Sequence, residues 1–344
     1  AYNEAATIAA TIESLLRLDY PRDLLDILVV SDASTDGTDD IVRGFADRGV
    51  RLLRTPERAG KTTAENLGRR SSSSDIIVNT DASVRLPPHV LKPLVAVFAD
   101  PGIAVASGRD VSVAPGASDG NTVEAGYVGY EMWVRDLETR AGGIIGTSGC
   151  FFATRAAVVE DALPGALSWD FAAPLVARER GYRAVSVPEA VCQVPRTSSV
   201  SHEYRRKVRT IARGMQTLRF KAHLLNPFRY GLFSWMLFSH KVCRWALPWG
   251  IVVALAALGV LAATGAIWAR LAVLGAAAGL VLGVVGWASP RAASFRPVSM
   301  AAFLVAGNLA VLHAAIRALG RAGTPTWEPT RRGTLPVAAA GAER

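Results

Sequence analysis

Three short strings in this sequence have the residue types and order to handle a phosphorylated ligand. The first is Ser31-Asp32-Ala33-Ser34-Thr35-Asp36-Gly37-Thr38, which follows the apolar run Ile27-Leu28-Val29-Val30. Asp32 is therefore expected at the carboxyl end of a buried strand, where a carboxylate can accept hydrogen bonds from a base or a ribose. Asp36 reads as the cap of a helix beginning near Thr38, with a ligand contact as its other use. The second string is Gly60-Lys61, at the start of a helix containing Asn66. A lysine behind a glycine at a helix start is placed to meet phosphate. The third is Asp81-Ala82-Ser83, closing the run Ile76-Ile77-Val78-Asn79-Thr80. A carboxylate there can hold a divalent cation that also grips a diphosphate. Two aspartates at two strand ends point to one acidic pocket.

The elements that must position these residues are legible by periodicity. Ile8, Ile12, Leu15 and Leu16 recur at helical spacing between Ala5 and Leu18. Further helices are expected over residues 38–48, 63–70 and 91–98, and strands over 27–30, 50–53, 76–78 and 103–106. Such alternation predicts an α/β domain with a mostly parallel sheet covered by helices. Pro115 to Asn121 reads as a flexible turn, and the tail after Gly320 as disordered.

Composition sets the outer limits. The chain has 344 residues, 50% hydrophobic and only 19% charged, which excludes intrinsic disorder. Cys150, Cys192 and Cys243 have neither paired nor metal-type spacing, so a disulfide scaffold or zinc ribbon is not expected. The chain opens on Ala1 rather than Met and reads as a piece of a longer protein.

The net charge of +9 conceals a division. Residues 1–200 carry 20 Lys+Arg against 26 Asp+Glu; residues 201–344 carry 18 against 3. The basic half is also the apolar half, which argues for a membrane and against nucleic acid. Residues 245–269, 271–290 and 297–316 contain no charged side chain, and each is long enough to cross a bilayer core. Trp245, Trp249, Trp268 and Trp287 stand near their ends, as interfacial indoles do. Ten Lys/Arg between Arg205 and Arg244 place that stretch in the cytoplasm. Three crossings would put the basic tail outside, so either one candidate does not span or the rule is weakly obeyed. Phe228 to Lys241 is too short to cross; it suits an interfacial helix or a packing helix of the soluble domain.

The ordered series resembles the family 2 glycosyltransferases. It runs through Ala1-Tyr2-Asn3-Glu4, the Asp32 to Thr38 string, Gly60-Lys61 with Asn66, and Asp81-Ala82-Ser83. It continues through Gly146-Thr147-Ser148-Gly149-Cys150 with Arg155, Ser168-Trp169-Asp170-Phe171, Gly181-Tyr182-Arg183 and Pro188-Glu189-Ala190, ending on Glu203 with Arg206-Lys207-Val208-Arg209. The resemblance implies the nucleotide-sugar-binding GT-A fold, with the family's opening strand ahead of Ala1. It further implies that Tyr2, Glu4, Asp32, Lys61 and Asp81 contact the nucleotide sugar. Arg206, Lys207 and Arg209 would meet its diphosphate or lipid headgroups. Ser148, Gly149 and Trp169 would face the acceptor, although Trp169 reads equally well as a core aromatic. Asp81, with Ser83 in place of the family's second acid, would hold Mg2+ or Mn2+. Asp170 would be the general base.

The expected organisation is a GT-A domain over 1–215, an interfacial segment over 216–244, membrane helices near 245–267, 271–289 and 297–316, and a basic tail over 319–344. The implied activity is inverting transfer from a nucleotide-sugar donor, with a uridine nucleotide favoured, to a lipid-linked or glycan acceptor. The protein would sit multi-pass in the cell membrane, among membrane lipids, with its catalytic domain in the cytoplasm. Gln193-Val194-Pro195-Arg196-Thr197 lacks the tryptophan of the processive synthases, which favours transfer of one or a few sugars over a processive polysaccharide synthase. An inactive membrane scaffold that binds nucleotide sugar or glycan would also carry these strings. So would a nucleotidyltransferase, but Asn3-Glu4-Ala5-Ala6 lacks the glycine-rich phosphate loop that such an enzyme needs.

Overall fold

In the computed structural model, residues 1–113, 121–159, 162–195 and 200–320 are described. The expected turn over 115–121, Arg196-Thr197 of the synthase-like string and the tail beyond Gly320 lie outside them, apart from Asn121. The chain divides into two compact units.

Of the described residues, the first unit comprises 1–113, 134–159 and 162–195. Its described elements follow the predicted alternation closely. Helix α1 spans Ile8–Leu16, strand β1 Ile27–Ser31, α2 Thr38–Arg43 and β2 Val50–Arg54. Then come α3 Lys61–Arg70, β3 Ile76–Thr80, α4 Leu91–Ala96 and β4 Ile103–Val113. Helix α5, Asn121–Ala141, joins this unit from Val134 onward, and β5 Phe151–Arg155, α6 Trp169–Glu179 and β6 Arg183–Pro195 complete it. Strands β1 and β2 pair in parallel as a small sheet. The other four form a second sheet in the order β3-β5-β4-β6. The sheet is mixed, because β5 lies antiparallel between β3 and β4, while β4 and β6 are parallel.

Apolar side chains on both faces account for the layering. Ile8 and Ile12 of α1 pack with Ile27, Val29, Val42 and Val50. Leu91, Leu94 and Phe98 cover one face of the larger sheet with Phe151, Val185 and Cys192. Trp169, Ala172, Ala173 and Ala177 of α6 cover the other with Val105 and Phe152. At roughly 25 cal/mol per Å² of apolar surface removed from water, these two layers are what hold the β5 and β6 ends in register.

The helix carrying Gly60-Lys61 is fixed by side-chain hydrogen bonds. Asn66 Nδ2 donates to the Leu163 carbonyl at 2.7 Å. Its Oδ1 accepts from Leu163 N at 3.2 Å and from Trp169 Nε1 at 2.8 Å. Thr62 Oγ1 donates to the Leu167 carbonyl at 2.7 Å. These bonds lock α3 to the segment leading into α6.

Of the described residues, the second unit comprises 121–133 and 200–320. Helix α7 runs Val200–Phe220, so the expected boundary at residue 215 lies within it. Leu232–Ala263, Ile267–Ala288 and Arg296–Leu319 are long and apolar enough to cross a membrane, with mean hydropathies of 2.2, 2.1 and 1.8. Part of the expected interfacial segment is thus continuous with the first of these, through a π-helical stretch at Phe238–Cys243. Phe228, Trp235 and Phe238 are exposed on it. The second and third apolar helices meet at Gly283, where an added Cβ would lie 2.6 Å from Val305, and at Gly286, 2.9 Å from Ala302. Small residues give the close approach that apolar helices need in lipid. Val208 and Ala212 of α7 pack on Ala310 and Ala314. Asn308, whose amide is expected on a neighbouring helix, donates instead to its own Leu304 carbonyl at 2.8 Å. A carbonyl four residues back is always within its reach.

Replacing Asn66 by Ala strands three buried partners at once. The expected cost is about 2–4 kcal/mol of stability, read by denaturant unfolding of the protein in detergent. A change below about 0.5 kcal/mol, the ordinary range of surface substitutions, would mean these bonds do not hold the helix.

Candidate active site

The residue Asp32 is 5% exposed at the end of β1, and its carboxylate is heavily used. Oδ1 accepts from Ala59 N at 2.8 Å and Thr55 Oγ1 at 3.3 Å; Oδ2 accepts from Gly60 N at 2.8 Å. Asp32 therefore orients the loop that delivers Lys61. Gly60 turns that loop at φ +93°, a backbone that L side chains rarely adopt. Ala33 also has positive φ, +57°, which without a glycine stores strain beside Asp32. Asp36 caps its own turn, with Oδ1 accepting from Thr38 N at 3.1 Å and Oδ2 from Ala5 N at 3.0 Å.

The opening residues are laid against this loop. Ala1 N donates to the Val30 carbonyl at 2.7 Å and Asp32 N to the Ala1 carbonyl at 2.7 Å, a parallel pairing with β1. Tyr2 then lies under the Arg58 guanidinium, 4.0 Å from ring centroid to Cζ. Glu4 N donates to Thr38 Oγ1 at 2.9 Å, and its carboxylate accepts from Thr7 Oγ1 at 2.7 Å.

Lys61 is the hub. Its ammonium donates to Asp81 Oδ1 at 2.5 Å and to the Gly149 carbonyl at 3.0 Å, with Glu65 Oε1 4.0 Å away. Burial alone would lower the lysine pKa; the charges of Asp81, Glu65 and Asp170 outweigh it and hold the group above the ordinary lysine range. Burial raises the Glu65 pKa, and Lys61 and Arg69 offset that only in part. Arg69 is itself lowered to about 10 by burial, with its guanidinium over the Trp169 ring at 4.3 Å. The loop Asp81-Ala82-Ser83 is held from behind by Thr11, whose hydroxyl donates to the Ala82 carbonyl at 2.7 Å.

A cavity of about 250 Å³ collects these groups. Tyr2, Glu4, Asp32, Lys61, Glu65, Asp81 and Ser83 line it, and it runs back between β1 and β3 past Leu28, Val30, Ile76 and Val78. Asp170 stands next to this lining, in the first turn of α6. Its Oδ1 accepts from Ser168 Oγ and from Phe171 N at 2.8 Å. Its Oδ2 faces Gly149, where an added Cβ would lie 2.8 Å away. One backbone residue thus separates the Asp170 carboxylate from the Lys61 hub.

The remaining expected residues fall elsewhere. Ser148 is buried, its N donating to Ser107 Oγ at 2.8 Å. Trp169 is 2% exposed, with its ring in the core, the second of the two uses the sequence allowed. Arg206, Lys207 and Arg209 lie on α7 in the second unit, where Lys207 Nζ stands 4.6 Å from the Phe303 ring centroid. Glu65 is the cavity residue that motif reading passed over. Its signal was its place one helical turn after Lys61.

What the arrangement can do follows from its charges. A lysine shared between a carboxylate and a carbonyl can turn to a diphosphate, and the released carboxylate can then take a cation. Among the described residues no group of three His, Cys, Asp or Glu gathers as a ready-made metal cage.

Comparison with known proteins gives this arrangement a family. A model of glycosyl transferase family 2 matches residues 1–162. The mannosyltransferase PcManGT of Pyrobaculum calidifontis, solved with GDP-Man and Mn2+, superposes with a TM-score of 0.70 at 26% identity, over 93% of this chain and 85% of that one. The probable glycosyltransferase YdaM of Bacillus subtilis strain 168 is 39% identical over 87 residues, 24% of this chain and 21% of that protein. An N-acetylglucosaminyltransferase of Rhizobium sp. strain N33 is 31% identical over 144 residues, 41% of this chain and 31% of its own length. The chain spans 21%, 36% and 22% of three curated relatives that it matches. The fold is GT-A, as the motif series implied. With that fold, and with two strand-end acids and a lysine hub inside the matched region, residues 1–162 are a glycosyl transferase family 2 domain.

Proposed function

We propose that this chain transfers a sugar from a nucleotide-sugar donor to a hydroxyl of a lipid-linked or glycan acceptor, with inversion, at a membrane. The observation that carries the reading is the Lys61 ammonium held between Asp81 and the Gly149 carbonyl, in one cavity with Asp32. The solved mannosyltransferase, which shares the fold over nearly the whole chain, supports it by holding GDP-Man and Mn2+.

The roles follow from position. Tyr2, Glu4 and Asp32 would receive the nucleoside, and Lys61 the diphosphate. The donor set suits a hard divalent cation that takes most of its ligands from the donor's phosphates. Asp81 offers an oxygen already facing a cation, and the described residues supply no competing cage. Asp81, with Ser83 beside it, would hold Mg2+ or Mn2+. When bound, the ion would neutralise charge on the departing diphosphate. Asp170, fixed by Ser168 and the Phe171 amide, would take the proton from the acceptor hydroxyl as it attacks. Gly149 gives that carboxylate room, since any side chain there would meet Oδ2.

The membrane part of the reading rests on the three apolar helices and on the Lys/Arg-rich stretch ahead of the first. By the positive-inside rule that stretch, and the catalytic domain before it, are cytoplasmic.

Three outcomes are expected. Asp170→Asn should lower transfer by about 100- to 10,000-fold, the usual weight of a general base, while donor affinity stays within twofold. Wild-type turnover in that variant would dismiss the base. Chelation of divalent ions should stop transfer and added Mn2+ restore it; a rate indifferent to chelator would end the role given to Asp81. Washing membranes with alkaline carbonate should leave the protein in the pellet, and release into the supernatant would refute the spans.

A further inference from the structure

Two of the three cysteines, distant in sequence, meet in space. The sulfurs of Cys150 and Cys192 are 3.9 Å apart, and both are free thiols. Cys150 precedes β5; Cys192 lies within β6, opposite Asp110 of β4. The crowding at Gly108 of β4 brings their strands together, since a Cβ there would lie 2.4 Å from the Phe151 ring and 2.8 Å from the Ala190 carbonyl. Exposure separates their chemistry. Cys192 is fully buried and Cys150 only partly so, which lets an oxidant reach Cys150 first and leaves Cys192 as the resolving thiol. Cys243 is exposed in the other unit.

We infer that Cys150 and Cys192 are a reversible redox pair that a peroxide converts to a disulfide, and that this bond disables the cavity. In the first step Cys150 Sγ attacks hydrogen peroxide. An S–O bond forms, the O–O bond breaks, and one water leaves with the thiol proton. In the second, Cys192 Sγ displaces the hydroxyl from that sulfenic acid, forming S–S and releasing a second water. Two thiols are oxidised by two electrons and one peroxide is reduced to two waters.

The sulfurs must close by roughly 2 Å to reach bonding distance. Cys192 sits in a strand laddered to β4, so Cys150 and the backbone before it take up the movement. That backbone is part of the site. The Gly149 carbonyl accepts from Lys61 Nζ at 3.0 Å, and the Cys150 carbonyl accepts from Asp81 N at 3.3 Å. Pulling both carbonyls shifts the lysine hub and the strand end that bears Asp81. A displacement of about an ångström at reacting groups costs up to about a hundredfold in rate. The effect on transfer rests on the function proposed above; formation of the bond does not.

The test uses the full chain in detergent with Cys243 changed to Ser, treated with hydrogen peroxide and then with dithiothreitol. Peptide mass spectrometry should find Cys150 linked to Cys192. Sugar transfer should fall by ten- to a hundredfold and return on reduction. Cys192→Ala should form no link and accumulate oxidised Cys150 instead, and Cys150→Ser should keep Cys192 reduced. Absence of the linked peptide at full oxidation of Cys150 overturns the pair. A linked protein that transfers at the reduced rate overturns the control of the site. If the reduced protein transfers nothing, donor protection against heat unfolding replaces the rate. Loss of that protection on linking supports the inference even though the transfer reading has failed, and its persistence overturns it.

Discussion

A single ammonium group organises the cavity. Lys61 is held by Asp81 from one strand end and by the Gly149 carbonyl from a loop, while Asp32 grips the two amides that precede it. Each contact comes from a different part of the chain, so the lysine registers α3, β3 and the segment before β5 against one another. Three negative groups around it outweigh its burial, and the charge stays in place at any physiological pH. In the function proposed above, a diphosphate entering here would meet a cation that is already aimed, which is where preorganised electrostatics has its effect.

Much of this was legible in the residues alone. Strand runs that stop at Asp32 and Asp81 announce their own ends, because the apolar side chains that bury each strand give way there to polar ones. The αβ alternation and the apolar helices were visible for the same reason: each is a local pattern. What escaped was set by partners far along the chain. Strand β5 is five residues long and enters antiparallel between β3 and β4, a choice made by sheet closure and not by its own sequence. Trp169 beside Asp170 could have faced a ligand or the core. Asn66, 103 residues earlier, decides it by accepting from the indole nitrogen. The meeting of Cys150 and Cys192 has no sequence signal at all, since their spacing is fixed by β4 between them.

The membrane-type helices obey a different logic. Their surfaces are apolar nearly all round, so periodicity says little about which side meets which. Glycine does: Gly283 and Gly286 mark the contact with the third helix because nothing larger fits there. In the interfacial stretch, aromatic exposure and continuity with the first span replace the separate segment that charge spacing suggested.

Asp32 has one further consequence, in the arithmetic of lone pairs. A carboxylate offers about four acceptor positions, and three are taken by Ala59, Gly60 and Thr55. One position on Oδ2 is left. Any visiting molecule can therefore present this acid with a single N–H or O–H. A partner bearing two adjacent donors would have to satisfy the second one elsewhere or lose it, so a ligand reaching this acid, as the proposed function has it, would be read through a single slot set when the loop folded.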